Sequence, residues 1–188
     1  MSEPEPEPEP EIIYNKDNII IKKSKTNTYY LLFSLQNPNM YLGKIINFKL
    51  LDVLYALNED IFDDYKINIH NENEATVYFL FKHFLQDLGL PQKYTYINLV
   101  LEKNDNFIQF KAQTIQNAIP EKLPENVELL VINNMNIDCV LETQHKLSFQ
   151  SMITIHSKIV GADFLEKFAL KIFSKIFLRI KQFIEKYK

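Results

Sequence analysis

Tryptophan is absent, cysteine occurs once and glycine three times in 188 residues, and each shortage closes off a chemistry. Cys139 alone can form no disulfide within the chain and excludes a cysteine-rich metal centre. Gly43, Gly89 and Gly161 stand far apart, so no glycine-rich loop cradles a phosphate and no Gly-x-Ser-x-Gly turn presents a nucleophile. Arginine is almost missing as well: Arg179 is the only one among 21 basic residues. Readout of base edges favours bidentate arginine, so sequence-specific duplex binding loses ground. No long apolar run exists either. The most apolar windows, 77–85 and 168–180, are interrupted by Lys82 and by Lys171, Lys175 and Arg179. A membrane span needs about 20 predominantly apolar residues, so no transmembrane segment is expected. The acidic, proline-rich start is unlike a secretory leader. A soluble protein of the cytoplasm is expected, or of a virion or its host's cytoplasm if the source is viral.

What is present is ample for a core: 46% hydrophobic and 13% aromatic residues. One domain over 12–188 is expected, preceded by an acidic tail over 1–11 whose alternating Glu and Pro have nothing to bury and should stay disordered. The abundance of Lys, Ile and Asn matches the codon bias of an A/T-rich genome, as in some microbes, protists and large DNA viruses. Net charge is −3, with acid gathered in the tail and base toward the C-terminus.

The strongest pattern lies at that end. Over 162–187, Leu165, Phe168, Ile172, Phe173, Ile176, Phe177, Ile180, Phe183, Ile184 and Tyr187 recur at steps of three and four, the signature of one broad apolar helix face. Lys167, Lys171, Lys175 and Arg179 form a basic row beside it. The helix is about 40 Å long and too apolar to stand alone in water.

Strands are expected over 18–23, 28–35 and 65–70, with a helix over 47–58 opened by Asn47. A second helix is expected over 73–88, where Val77, Phe81, Phe84, Leu85 and Leu88 keep helical spacing and Gly89 and Pro91 give a stop signal. Strands over 94–103 and 107–115 flank Asn104-Asp105-Asn106 as a hairpin. Three more, over 127–132, 137–142 and 147–155, are joined through 133–136 and 143–146. Together these predict an α+β fold: a mostly antiparallel sheet of about six to eight strands packed on a long C-terminal helix. In element order alone, over about 29–187, this resembles the helix-grip, START-like arrangement, in which a curved sheet wraps a C-terminal helix. The strand at 65–70 departs from that pattern.

No catalytic, cofactor or metal constellation emerges. His70, His83, His145 and His156 share no ligand spacing and read as packed or surface residues. Cys139 alternates with Ile137 and Leu141 and reads as core. Glu59, Asp60, Asp63 and Asp64 lack the glycine and ligand spacing of a calcium loop and read as solvated charge. The leading functional expectation is therefore a non-catalytic interaction or structural protein, working with a protein partner or in a viral or other macromolecular assembly. A second reading is an apolar-ligand carrier of the helix-grip type, holding a lipid or other hydrophobic molecule between sheet and helix against Phe168, Ile172, Ile176, Phe149 and Ile153. A third is nucleic-acid binding, the row Lys167, Lys171, Lys175 and Arg179 serving as contact with an anionic partner. An enzyme is not favoured.

Overall fold

The computed structural model describes residues 9–24, 27–116, 120, 123–155 and 163–188. The Glu-Pro tail up to residue 8, His156 and most of the proline-bearing segment 117–122 lie outside these. Among the described residues, ten strands and three α-helices follow the order β1 (Glu11–Lys16), β2 (Ile19–Lys23), β3 (Thr28–Gln36), α1 (Leu42–Ile45), α2 (Leu50–Leu57), β4 (Phe62–Ile69), β5 (Glu74–Phe81), β6 (Gln92–Lys103), β7 (Phe107–Thr114), β8 (Val127–Leu129), β9 (Ile132–Thr143), β10 (Lys146–Ile155) and α3 (Asp163–Lys186). The strands form one sheet in the order β1-β2-β3-β10-β9-β7-β6-β5-β4, with β8 alongside β6. Every pairing is antiparallel except that of β6 with β8. The expected fold class, an antiparallel sheet with a long C-terminal helix, is what the chain adopts, with more strands than anticipated.

The added strands have local causes. Glu11, the last residue of the expected tail, opens β1, which turns into β2 through Asp17 and Asn18, both at positive φ (55° and 58°). Two such residues make the tight turn that suits a twisted hairpin. The strand expected at 65–70 reaches back to Phe62, beside β5.

The largest correction concerns 73–88, which is not a helix. Residues 74–81 form β5, followed by a short 3₁₀ turn, Gln86–Leu88. Ala75, Val77 and Phe79 face the main core, whereas Tyr78 and Leu80 join Tyr94 in a second cluster on the opposite face. A strand buried on both faces reads as a continuous apolar run, and such a run satisfies helical and extended spacing at once. The stop signal was real but ends only the 3₁₀ turn, with Gly89 left-handed at φ 67°. The segment 133–136 is no turn either. Strand β9 runs through it, Asn134 and Asn136 pairing with Thr154 and Met152 while Met135 lies opposite Ile153. The helix expected from Asn47 begins at Leu50. Asn47 organises the preceding turn, its Oδ1 accepting from Lys49 N at 2.9 Å.

One face of the sheet carries Ile21, Leu31, Leu35, Leu147, Cys139, Ile108 and Val77, all essentially inaccessible. Helix α3 lies against it, with Ile176, Ile180 and Ile184 sealed in the same cluster. Burying each of those isoleucines contributes about 1.5–3 kcal/mol before entropy is counted. Burial pushes the Cys139 thiol up to about 12, as expected for a core cysteine.

The C-terminal end of α3 is fastened by a side chain from the far end of β3. Asn37, fully buried, donates from Nδ2 to Ile184 O (2.5 Å) and Tyr187 O (2.8 Å). Its Oδ1 accepts from Asn39 N at 2.8 Å. The last carbonyls of a helix have no partner within it and carry its negative pole, so a donor from the sheet caps α3 across the fold. Asn37→Ala should cost about 1–3 kcal/mol. Asn37→Asp, which turns an acceptor toward those carbonyls, should cost more. Urea denaturation midpoints of the two variants check the order.

Candidate functional site

Helix α3 is held along both flanks, by β2 and β3 on one side and by the end of α2 and the connection to β4 on the other. On one side Glu166 accepts from Lys23 Nζ at 2.7 Å and from Tyr29 OH at 3.0 Å. Burial, and then Glu166, raise the Tyr29 phenol far above its ordinary range. One face further along the helix, Lys181 Nζ donates to Ser34 O at 2.8 Å and pairs with Glu185. On the other side Asp60, just before β4, accepts from Lys175 Nζ (2.6 Å) and from both Arg179 nitrogens, Nη2 at 3.1 Å. Arg179 Nη1 also donates to Leu57 O and Asn58 Oδ1, each at 3.1 Å, so it caps α2 as well. The Arg179 and Lys175 hydrogen bonds hold the Asp60 carboxyl well below the usual carboxylate range.

This arrangement divides the basic row read from the sequence. Lys175 and Arg179 point at Asp60 and fasten the helix, and Lys167 and Lys171 are exposed. It also alters the reading of the acidic cluster. Asp60 is the anchor for α3, and Asp63 accepts from Lys82 Nζ (3.0 Å) and Gln92 Nε2 (2.7 Å). Spacing alone carried no sign of either role, because the partners lie 115 to 119 residues away in the first case.

The five residues named for an apolar lining all lie on α3 or β10, with unequal burial. Ile153 and Ile176 are buried. Phe149 stacks on Phe33 at 4.3 Å and lies 5.4 Å from Phe177, which meets Phe173 edge-on at 4.8 Å. Ile172 is half-buried against the core. Phe168 touches Phe84, from the segment after β5, edge-on at 5.5 Å. A phenylalanine stack thus fills the middle of the space between sheet and helix. The helix is seated unevenly over it. Among its described side chains, the buried Ile176, Ile180, Lys181 and Ile184 fall in the second half and Ser174 lies at the midpoint, whereas Leu165, Phe168, Ile172 and Phe173 in the first half are only half-buried.

Two hydroxyls stand out on this otherwise apolar wall. Thr95 on β6 and Ser151 on β10 share the inward faces of Ile97 and Ile153, and both are buried. Neither Oγ has a hydrogen-bond partner among the described residues. A buried, unpaired hydroxyl costs about 1–3 kcal/mol, so each is a polar point held ready in an apolar surface. Alternation along β10 sets Ser151 on the same face as Leu147, Phe149 and Ile153, but nothing in the sequence marks it or Thr95 as unpaired.

Two surface recesses, of about 520 and 540 Å³, lie elsewhere. The first is lined by Phe48, Ile69 and Leu101 beside the start of α2, and the second by Ile20, Leu32, Phe107 and Val140 on the outer face of the sheet. Of the histidines, His70 and His83 hydrogen-bond at 2.6 Å to Thr76 Oγ1 and Leu90 O, and His145 at 2.9 Å to Met40 O. Among the described residues no three His, Cys, Asp or Glu side chains converge as metal ligands. Among the same residues no helix is long and apolar enough to cross a membrane.

No family model and no curated protein sequence matches this chain. Solved structures do. The human StarD13 (DLC2) lipid transfer and protein localization domain superposes with a TM-score of 0.71 at 10% identity, over 95% of this chain and 90% of that one. Human StAR-related lipid transfer protein 5 gives 0.68 at 7% identity, over 93% and 85%. A STAR-related lipid transfer protein fragment from Xanthomonas axonopodis gives 0.65 at 7% identity, over 93% and 97%. The chain therefore has the START, or helix-grip, fold. This overturns the leading functional expectation of a non-catalytic structural or assembly protein, because the neighbours across nearly the whole chain are lipid transfer domains.

Replacing Asp60 by Asn should remove about 1 kcal/mol, the scale of a well-formed but partly exposed ion pair. Because the folded-state pKa is depressed, the wild-type advantage is complete above about pH 5 and shrinks as pH falls below about 4. Denaturation midpoints of both proteins between pH 7 and pH 3 measure this.

Proposed function

We propose that the protein is a non-enzymatic carrier that holds one apolar molecule, of the lipid class, between the concave face of its sheet and α3. The observation that carries this reading is the uneven seating of α3 over an apolar, phenylalanine-rich wall that holds two unpaired hydroxyls. The START fold, shared with lipid transfer domains over more than 90% of the chain, supports it.

The mechanism follows from the contacts. The second half of α3 is fixed by Ile176, Ile180, Ile184, the Asn37 cap and the Asp60 pairs. The first half rests on half-buried apolar contacts, the Phe84–Phe168 edge and the Glu166 hydrogen bonds. Less burial means a lower cost of local opening. A ligand enters when this half lifts and the Phe173–Phe177–Phe149–Phe33 stack parts. Apolar burial then drives binding, and Thr95 or Ser151 supplies a hydrogen bond to a neutral polar group at the ligand's head. Both hydroxyls are neutral and buried among apolar neighbours on their strands, which favours an alcohol, ester or carbonyl over an ionised headgroup.

Native mass spectrometry of gently purified protein should show one added apolar mass per chain, and a fluorescent sterol or acylglycerol should bind with the same stoichiometry. Protein that carries no added mass and takes up neither probe would refute the carrier. Ser151→Ala separates ligand binding from folding. Deleting an unpaired hydroxyl should leave stability unchanged or raised by about 1 kcal/mol. Affinity for the hydroxyl-matched probe should fall about tenfold, the equivalent of one hydrogen bond.

A further inference from the structure

At its start, helix α3 turns a basic and partly apolar face away from the sheet. Phe164, Lys167 and Lys171 stand three and four residues apart, so they share one line of the helix. All three are exposed, Phe164 by 50%. Asp60 engages only Lys175 and Arg179 of the basic row, and among the described residues no ion pair or hydrogen bond takes up Lys167 or Lys171. The chain carries a complement to this face. Ahead of β1 runs a strict alternation in which Glu3, Glu5, Glu7 and Glu9 are separated by Pro4, Pro6 and Pro8. The topology delivers it to the right place. Glu11, the first residue of β1, pairs with Lys23, and Lys23 Nζ bonds Glu166, the neighbour of Lys167, at 2.7 Å.

We infer that the acidic arm ahead of β1 crosses the start of α3, its glutamates meeting Lys167 and Lys171 and its prolines packing on Phe164. The length suffices. A proline-rich chain extends about 3.1 Å per residue, so the arm reaches about 30 Å from Glu11, against about 6 Å between the two lysines. Both halves of the repeat find a match, since extended proline segments dock on exposed aromatic rings and carboxylates complement lysines. Exposed ion pairs are individually weak. Attachment to β1 offsets this by holding the arm near the helix at a millimolar effective concentration. Lys22, the other unpaired base near the exit, shares the outer face of the sheet with Ile20 and offers one charge where the helix offers two and a ring. The contact needs no ligand, but its consequence rests on the carrier reading. An arm across the first half of α3 ties down the half that lifts, so it slows ligand entry and loosens as salt rises.

A nitroxide on Ser2→Cys tests the contact, since Cys139, the only native cysteine, is buried. In the amide spectrum of the full chain at low salt, signals around Lys167 and Lys171 should broaden more than those around Lys22. Added salt should weaken the effect, and so should Glu3→Gln, Glu5→Gln, Glu7→Gln and Glu9→Gln together, which change no residue of any strand or helix. Lys167→Glu with Lys171→Glu should abolish it. Absent broadening at α3, broadening centred on Lys22, or broadening that neither salt nor the charge variants alter overturns the inference. So does broadening that passes only between labelled and unlabelled chains mixed together, which assigns the arm to a second copy. In the glutamine variant, amide exchange over 166–174 should quicken about two- to fivefold, the scale of one or two exposed ion pairs; unchanged exchange overturns the hold on α3. Uptake of a fluorescent sterol from cyclodextrin reports on the carrier separately and should be faster in the same variant. If neither protein takes up the sterol while the broadening persists, the carrier reading fails and the arm contact stands.

Discussion

A sheet of nine consecutively paired strands carries one long helix, whose placement depends on what that helix offers β2 and β3 on one side and α2 with its connection to β4 on the other. Helix α3 offers charge and hydrogen bonds on its two flanks and apolar side chains between them. Lys23, Tyr29 and Ser34 hold one flank and Asp60, Leu57 and Asn58 the other. Each polar contact is partly exposed and individually small. Their joint effect is directional: they fix where the rod lies, while Ile176, Ile180 and Ile184 supply the burial that keeps it there. The same placement encloses a wall of Phe33, Phe149 and their neighbours, a surface that would otherwise face water.

The uneven distribution of these contacts gives the fold a fixed and a yielding end. Asn37 and the three isoleucines anchor the second half of α3, and Arg179 ties that half to α2. Toward the start of the helix, aromatic contacts replace full burial, and Phe168 meets the exposed Phe84. In the carrier reading this gradient sets the direction of opening. The unpaired Thr95 and Ser151 hydroxyls then act as selectors. They favour a ligand that brings a hydrogen-bonding group into the wall over one that is hydrocarbon throughout.

Much of the architecture was legible because its determinants are local. The terminal helix announced itself through ten apolar residues at helical spacing, and α3 ends within a residue or two of the expected limits. The hairpin of β6 and β7 and the inward face of β10 followed from alternation. Strands were missed where the alternation was hidden, first because a run apolar on both faces carries no period to read. Strand β5, covered on one side by the core and on the other by Tyr94, Val127 and Leu129, is such a run. In β9 the reverse held, since Asn133, Asn134 and Asn136 resemble a turn unless Met135 is seen to alternate with them. Of the site, the apolar wall was readable and its fastening was not. The Asp60 pairs, the Asn37 cap and the two unpaired hydroxyls arise from residues distant in sequence, and no spacing rule reaches that far.

The most direct measurement is native-state hydrogen exchange across α3. Amides in the first half, about residues 166–174, should exchange faster than those of 177–185 by subglobal opening, and should slow when a fluorescent sterol or acylglycerol is bound. Equal exchange in both halves at the rate of global unfolding, unchanged by either probe, would contradict the account of a helix fixed at one end and opening at the other.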